Sequence, residues 1–448
     1  MCESMIKRGF SVSILQATYF KPQIEAIGAT FIALDAECDW CQYDLALAGN
    51  PNGKFPERLL LEPGLETLAY DLEHIFMPYI PSQARSIKRA IATVQATDPS
   101  RKVVILAENS ILGIVPLRLV SDERLATVPP VLGVNVVPLT VESVDVGPFG
   151  TGLPPDSTPS GQKRNVMLHG LIRNFVLKGA IAALRKYMIE AGAEPEFIPG
   201  KAELGFNIVY HPRVYSKVLQ MCIPEVEFAR SDLPSHIQFA GGLPSKAVTA
   251  GFVFPSWWEE ITKNAELPVA QRKKIVAVAQ GTFATNFNDI ILPTIRGLGS
   301  REDFLVVAIL GKKGARLFPD CPAGEEEKLP ANTRVADFLP YDAILQYADV
   351  WVQNGGYGGF QHGIANEVPT VLGGDTEDKP EIGVRAEWAG VGFNLGTGHP
   401  TPEQVAAGVD EVLANPKYKA RCVELSRVMA GYDPLGRIEK ELMDLAAS

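Results

Sequence analysis

Two doubly wound α/β domains, each a parallel sheet with helices on both faces, are the fold class that the sequence predicts. Three observations lead to it. The chain has 448 residues, 46% of them hydrophobic, which is enough for two separate cores. Short apolar runs alternate with segments of helical periodicity, the pattern of strands that return through helices into a parallel sheet. The alternation comes as two series on either side of RSDLPS at 230–235. Residues 1–229 and 236–448 are therefore expected to be the two domains, with 230–235 as the linker.

In the first series SVSILQA and ATFIAL read as strands, GLETLAYDLEHIF as an amphipathic helix, KVVILAE as a buried strand and VLGVNVVPL as another. The stretch DVGPFGTGLPPDSTPSGQKRN at 145–165 interrupts them with turn formers, and long loops in compact domains are often functional. Helical sequence follows through NVMLHGLIRNFVLKGAIAALRKYMIEAG. The second series starts near HIQFAGGL. It runs through KKIVAVAQGT, DFLVVAIL, TRVADFL, DVWVQ and TVLGG, and ends in helical sequence from PTPEQV to the C-terminus. Ligands of doubly wound sheets sit at the carboxyl ends of the strands, so a cleft between the two domains is the expected site.

Composition narrows the partner. The net charge is −10, and no run of Lys or Arg is long enough to mark a nucleic-acid or anionic-membrane footprint, which leaves a small molecule. No stretch approaches the roughly 20 apolar residues needed to cross a bilayer, and the N-terminus lacks a signal-peptide pattern. A soluble, cytoplasmic chain is expected. Six cysteines are scattered, and only Cys38 and Cys41, in ECDWC, have suggestive spacing. A lone C-x-x-C without a second pair or nearby histidines is a poor zinc site and lacks a thioredoxin-like context, so reduced thiols and no metal are expected.

The richest local signal is NGGYGGFQHG at 354–363, after the apolar run YADVWVQ. Glycines there let a chain leaving a buried strand turn sharply and open a helix whose bare N–H groups and dipole attract an anion. The pattern is neither the dinucleotide fingerprint nor the P-loop. By itself it leaves two readings open, a structural turn and a phosphate cradle.

The surrounding sequence, LPANTRVADFLPYDAILQYADVWVQNGGYGGFQHGIANEVPTVLGGDTEDKPE, resembles the donor-binding region of family 1 glycosyltransferases, nucleotide-sugar-dependent enzymes of the GT-B fold. The similarity continues through RAEWAGVGFNLGTGHPTPEQV and extends upstream to AQGT, PFGTGLPPD and DLEHIF. It covers nearly the whole chain and is most specific in the second half.

The resemblance implies two Rossmann-like domains facing across a cleft, with a C-terminal helix packing back. It implies that Phe338 stacks on a uracil or thymine base, a job that suits a flat apolar ring. The backbone of Gly355, Gly356, Gly358 and Gly359 would hold the diphosphate, with the Thr282 hydroxyl opposite. Asp378 falls where an acidic residue binds sugar hydroxyls, and Lys379 falls where glutamine is usual. Two positions depart from the family. Asn354 stands where a histidine often meets the diphosphate. His362 stands where a carboxylate often chelates the ribose, and an imidazole makes only one such bond well. The co-substrate implied is a UDP-sugar or dTDP-sugar, with no cofactor.

Inverting transfer needs a base for the acceptor hydroxyl and a group to orient that base. Glu108, in VVILAENS, falls at the family's orienting carboxylate, usually an aspartate. The family's histidine, in a G-H-x-x-P type loop after the first strand, has no counterpart. MCESMIKRGFSVSILQ matches the second half of the family's first helix and the strand after it. The first strand and its loop are therefore expected upstream of Met1, and the chain as written is expected to lack transfer activity and a central strand. His74, the first histidine in the chain, has helical apolar neighbours that suit packing or surface exposure.

The leading expectation is a transferase moving a hexose from a nucleotide sugar to a hydroxyl of a lipophilic small molecule such as a secondary metabolite. The loop 145–165 and the helix 65–80 are the candidate acceptor walls. A non-catalytic nucleotide-sugar-binding protein and a nucleotide-sugar 2-epimerase are the alternatives.

Overall fold

The structure, a computed structural model, describes residues 1–41, 53–243, 248, 251–281, 286–318, 321 and 327–447. Every strand pairing in its sheets is parallel. The C-terminal sheet comprises β7 (Lys274–Ala279), β8 (Phe304–Ile309), β9 (Thr333–Ala336), β10 (Val350–Gln353), β11 (Thr370–Leu372) and β12 (Gly392–Asn394), in the order β12-β11-β10-β7-β8-β9. β7, β8 and β10 are buried along almost their whole length, which is why they read as continuous Val, Ile and Ala runs. The chain lays β7, β8 and β9 outward in one direction and then returns to place β10 on the other side of β7. The switch point thus lies between the ends of β7 and β10, with Gln353 paired to Ala279. The glycine turn starts one residue later.

The N-terminal domain holds β1 (Ser13–Gln16) paired with β2 (Thr30–Ala33), and a separate sheet in the order β3 (Ile105–Glu108), β4 (Val131–Asn135), β5 (Lys217–Gln220), β6 (Ile237–Phe239). Both sheets feed the same two apolar layers. Leu15 and Ile105 pack into the core around Ile80, Leu184 and Val218, while Val12, Val104 and Leu106 pack into the layer around Leu132 and Leu219. β1 and β3 each keep one edge without a strand partner among the described residues.

The stretch expected as a linker is not one. Ile237–Phe239 is the fourth strand of the N-terminal sheet, and Ala240 N donates to Gln220 O at 2.9 Å. Residues 231 and 232 are pinned by side chains that a composition reading takes for loop formers. Asp145 accepts from the Ser231 N–H and hydroxyl at 2.6 Å each, and Asp232 accepts from Ser143 Oγ and Val144 N. The crossover to the second domain begins after Ala240. The chain crosses back at its end, where the helix Pro434–Ala447 sets Ile438 and Leu442 against Leu132, Val134 and Leu219 of the first domain. Ile438→Ala is expected to cost about 2–5 kcal/mol for the cavity it leaves. A thermal melt followed by circular dichroism should show a lower midpoint, and an unchanged midpoint would mean that this helix does not brace the N-terminal sheet.

Candidate functional site

The four glycines of the turn do different things. Gly355 has φ +83°, a left-handed conformation that L side chains rarely adopt, and a Cβ there would sit 3.3 Å from Lys379 O. Gly356 is the N-cap of the helix Tyr357–Ala365, and a Cβ on Gly358 would meet nothing within 4 Å. Gly359 is structural: its Cβ would strike Gln353 Oε1 at 2.6 Å, and its carbonyl accepts from Trp351 Nε1. The open ground therefore lies over Gly356 and Gly358, in front of unpaired first-turn N–H groups. Asn354 borders it, its Oδ1 being 3.9 Å from where a Cβ on Gly356 would sit. Its side chain is buried and its Nδ2 donates to Gln280 O, stitching the ends of β10 and β7 together. Gln280 in turn caps the next helix, its Oε1 accepting from Ile290 N and Ile291 N. Thr282 lies outside the described residues.

Phe338 follows β9 and is 38% exposed, a high value for a large aromatic at a strand end. Phe252 lies 6.4 Å from its ring and Lys313 Nζ lies 5.8 Å from it. His362, on the helix behind the glycines, hydrogen-bonds through Nδ1 to Asp342 Oδ1 at 2.7 Å and meets the Tyr341 ring edge-on. The Asp342 carboxylate accepts from Nδ1, which leaves Nε2 as the ring nitrogen without a partner in that pair.

Asp378 and Lys379 open the helix Lys379–Ala389, directly against the glycine turn. Burial pushes the Asp378 carboxyl up to about 6 and the Lys379 ammonium down to about 8. Lys379 Nζ contacts Thr376 Oγ1 and Glu377, and Asp375 and Asp289 favour its charge. Glu377 is held at φ 51°, one of two non-glycine residues with positive φ among those described, so the loop carries backbone strain beside the open ground.

One turn further along the same helix, Glu381 reaches into the other domain. Its Oε1 accepts from Gly150 N and Gly152 N, both at 3.0 Å, so the loop PFGTGL is bound to the helix that starts with Asp378 and Lys379. Its Oε2 accepts from Arg385 Nη1 at 2.8 Å, and Arg385 Nε donates to Glu227 Oε1 at 2.8 Å. Burial works against the Glu227 charge, but Arg385 and Arg230 outweigh it and hold the carboxyl below its usual range. The sequence reading missed this group. The available signal was Glu381 and Arg385, an i,i+4 pair on the stripe that Ile382, Ala386 and Ala389 mark as buried.

At the far wall, Gly150 lies against Leu65 and Leu68 of the helix Leu65–Tyr70, and Phe149 packs edge-on against Phe206. Glu108 ends β3, with Ser110 N donating to its Oε2 at 3.0 Å, and burial raises its pKa. Beside it, the side-chain atoms of Asn109 and the Tyr215 hydroxyl are buried without hydrogen-bond partners. Among the described residues no histidine hydrogen-bonds to Glu108. His74 is exposed, in a π-turn against Tyr70. No group of His, Cys, Asp and Glu among the described residues is placed to hold a metal ion.

Comparison with known proteins gives concordant results. Residues 318–444 match the family described as "Erythromycin biosynthesis protein CIII-like, C-terminal domain". The chain is 34% identical to UDP-glucosyltransferase 1 of Beauveria bassiana over 99% of its own length and 91% of that protein. It is 32% identical to UDP-glucosyltransferase B1 of Starmerella bombicola over 100% and 94%. Among solved structures, the glycotransferase of kitacinnamycin superposes with a TM-score of 0.66 at 16% identity, covering 98% of this chain and 94% of that one.

Removing one partner of a buried charge pair costs about 3–5 kcal/mol. Glu381→Ala is therefore expected to destabilise the fold and to free the Gly150 and Gly152 amides. Hydrogen exchange in peptides covering 147–155 should speed up in this variant, and less so in Glu381→Gln, which keeps an acceptor. Unchanged exchange would show that the loop is held by something else.

Proposed function

The chain belongs to the family 1, UDP-glycosyltransferase-like enzymes of the GT-B fold, and from that premise we propose that it moves a hexose from a UDP-sugar to a hydroxyl of a lipophilic small molecule. It is a glycosyltransferase that uses a nucleotide sugar. The observation that carries the finer reading is the open ground over Gly356 and Gly358 at the switch point, beside a helix that begins with a carboxylate and an ammonium.

In this reading the diphosphate lies on the N–H groups of the helix Tyr357–Ala365, with Lys379 supplying positive charge. Phe338 carries the base on its exposed face. His362 Nε2 accepts one ribose hydroxyl, which leaves a single bond where a carboxylate would make two. Asp378 accepts from the sugar hydroxyls. The Leu65, Leu68 and Phe149 side chains supply the apolar wall for the acceptor, which supports a lipophilic one.

The acceptor oxygen attacks the anomeric carbon as the bond from that carbon to the diphosphate oxygen breaks. The electron pair leaves with UDP, where the helix N-terminus and Lys379 stabilise the added charge. The acceptor proton departs at the end of β3 marked by Glu108, whose raised pKa suits proton uptake better than an exposed carboxylate.

Three measurements test this. Gly358→Val places a branched side chain on the phosphate ground and removes charge-assisted N–H contacts worth about 1.5–3 kcal/mol each. It should lower UDP affinity by at least about tenfold in calorimetric titration, while Asn354→Ala, whose amide faces Gln280, should act mainly on stability. Equal losses of affinity in both would remove the cradle, and tighter binding of dTDP than UDP would change the donor. An ionised Asp378 is the stronger acceptor for sugar hydroxyls, and burial pushes its carboxyl up to about 6. The donor KM should therefore rise as pH falls below about 6 in the native enzyme and stay flat in Asp378→Asn. Glu108→Gln should lower kcat by about 10²–10⁴ and leave UDP affinity intact. UDP binding without transfer to any of a panel of phenolic and terpenoid acceptors would favour the binding-only alternative.

A further inference from the structure

We propose that the outward face of the helix Pro159–Leu171, with its continuation through Ile172–Val176, is a docking site for an anionic lipid bilayer. This goes beyond the transfer reaction and does not depend on it. The helix is inside out. The residues it buries are Gly161, Asn165 and His169, spaced by one turn each, and the two polar side chains among them are held by backbone carbonyls. Asn165 Nδ2 donates to Val144 O and Asp156 O, and His169 Nε2 hydrogen-bonds to Ser143 O and Val146 O. The apolar stripe faces out instead, with Met167 at 68%, Leu171 at 49% and Phe175 at 75% exposure.

That stripe also follows a one-turn spacing, so the three side chains share one face, and basic residues stand at both ends of it. Lys163 and Arg164 lie before Met167, and Lys178 lies after Phe175. Lys201 reaches the same face, its Nζ donating to Asn174 Oδ1 at 2.7 Å. Among the described residues Lys163 and Lys178 have no carboxylate partner. The chain as a whole is acidic, yet no Asp or Glu occurs between Asp156 and Glu190, a stretch that holds Lys163, Arg164, Arg173, Lys178, Arg185 and Lys186. A run of consecutive basic residues is absent, which is why the sequence reading found no membrane footprint. Arg164 is paired with Asp156 and Arg173 with Glu142, so Lys163, Lys178 and Lys201 carry the charge of this face, and they come together only when the helix is wound.

An exposed Met, Leu and Phe stripe between lysines is the pattern of a helix lying in the plane of a lipid interface, with side chains in the acyl boundary and ammonium groups at the headgroups. No single helix among the described residues is long and apolar enough to cross a membrane; only this helix and its successor, Lys178–Glu190, taken together across a 70° bend are, and the Asn165 and His169 bonds seat the first of them on the protein with its apolar face outward. A second copy of the chain fits the face less well. Two such helices packed antiparallel about a twofold axis would bring Lys163 of one against Lys178 of the other, a like-charge contact.

The test is co-sedimentation of the full chain with vesicles of phosphatidylcholine alone and of phosphatidylcholine mixed with phosphatidylserine. Binding is expected to the mixed vesicles, and to weaken with added salt. Lys163→Gln and Lys178→Gln should each lower the partition coefficient roughly fivefold, from about 1 kcal/mol per basic residue near an anionic surface. Phe175→Ser should lower it roughly tenfold or more. All three sites are exposed, so melting temperature and UDP affinity should match the native protein, which separates failure of docking from failure of the donor site. Three results would each overturn the proposal: no sedimentation with either vesicle, equal sedimentation with both that the variants leave unchanged, or a dimer in ultracentrifugation that Phe175→Ser dissociates.

Discussion

A guanidinium with no access to water sets the geometry of the whole molecule. Arg385 is 1% exposed and has a carboxylate from its own domain on one side, Glu381, and one from the other domain on the other, Glu227. The Phe228 ring lies 4.1 Å from it. Glu227 is committed further, its Oε2 accepting from Leu139 N. Around these charges the contact is apolar: Cys222, Ile223 and Val226 from the first domain pack with Tyr357, Phe360 and Ile382 from the second. An arrangement in which the domains separate would leave a buried charge without a partner, a cost that a surface pair never imposes. The two halves of the reaction are thereby given a fixed relation, because the helix carrying Arg385 also begins with Asp378 and Lys379 and holds the PFGTGL loop through Glu381.

The donor side rests on a second, simpler constraint, the order in which the chain lays down its strands. Because β10 returns to the opposite side of β7 from β8, the connections that leave the ends of those two strands lead to opposite sides of the switch point, which is where ligands of such sheets bind. In the proposed reading the bare N–H groups of the turn meet the diphosphate there, while the side chains of Gln280 and Asn354 make bonds within the protein. The Asn354 amide bonds the Gln280 carbonyl and keeps the two strand ends level, and the Gln280 amide bonds the start of the helix that follows β7.

Much of this was legible in the sequence, and the misses have a common cause. Strands such as KKIVAVAQGT and DFLVVAIL are apolar throughout because both faces are covered, so pattern alone finds them. The glycine turn was legible for the same reason, as the local backbone needs glycine whatever surrounds it. What pattern could not find were groups whose partners lie far along the chain. RSDLPS was read as a linker because it falls between two alternating series, yet its Ser231 and Asp232 bond residues 143–145 and its neighbour Ile237 completes a sheet. Asn354 was read for its place beside the diphosphate, and its bond to the Gln280 carbonyl, which ties two strand ends together, could not be read from sequence. The basic face near Phe175 was hidden because helical winding, not adjacency, assembles it.

The pairing of Glu227 with Arg385 also bears on how such enzymes can be recombined. In the proposed reading donor and acceptor lie largely on different domains, so a chimera joined after Ala240 is the natural way to mix them between relatives. In this protein such a joint would cut a three-member charge set whose members are far apart in the chain. It would also separate the helix Pro434–Ala447 from the sheet it braces. A recombined enzyme inherits a matched interior only if the incoming N-terminal half brings a carboxylate at position 227 and glycine amides at 150 and 152. The exchangeable unit is thus the half-domain together with its share of the buried charge, and sequence similarity around the junction is a poor guide to whether two halves will fit.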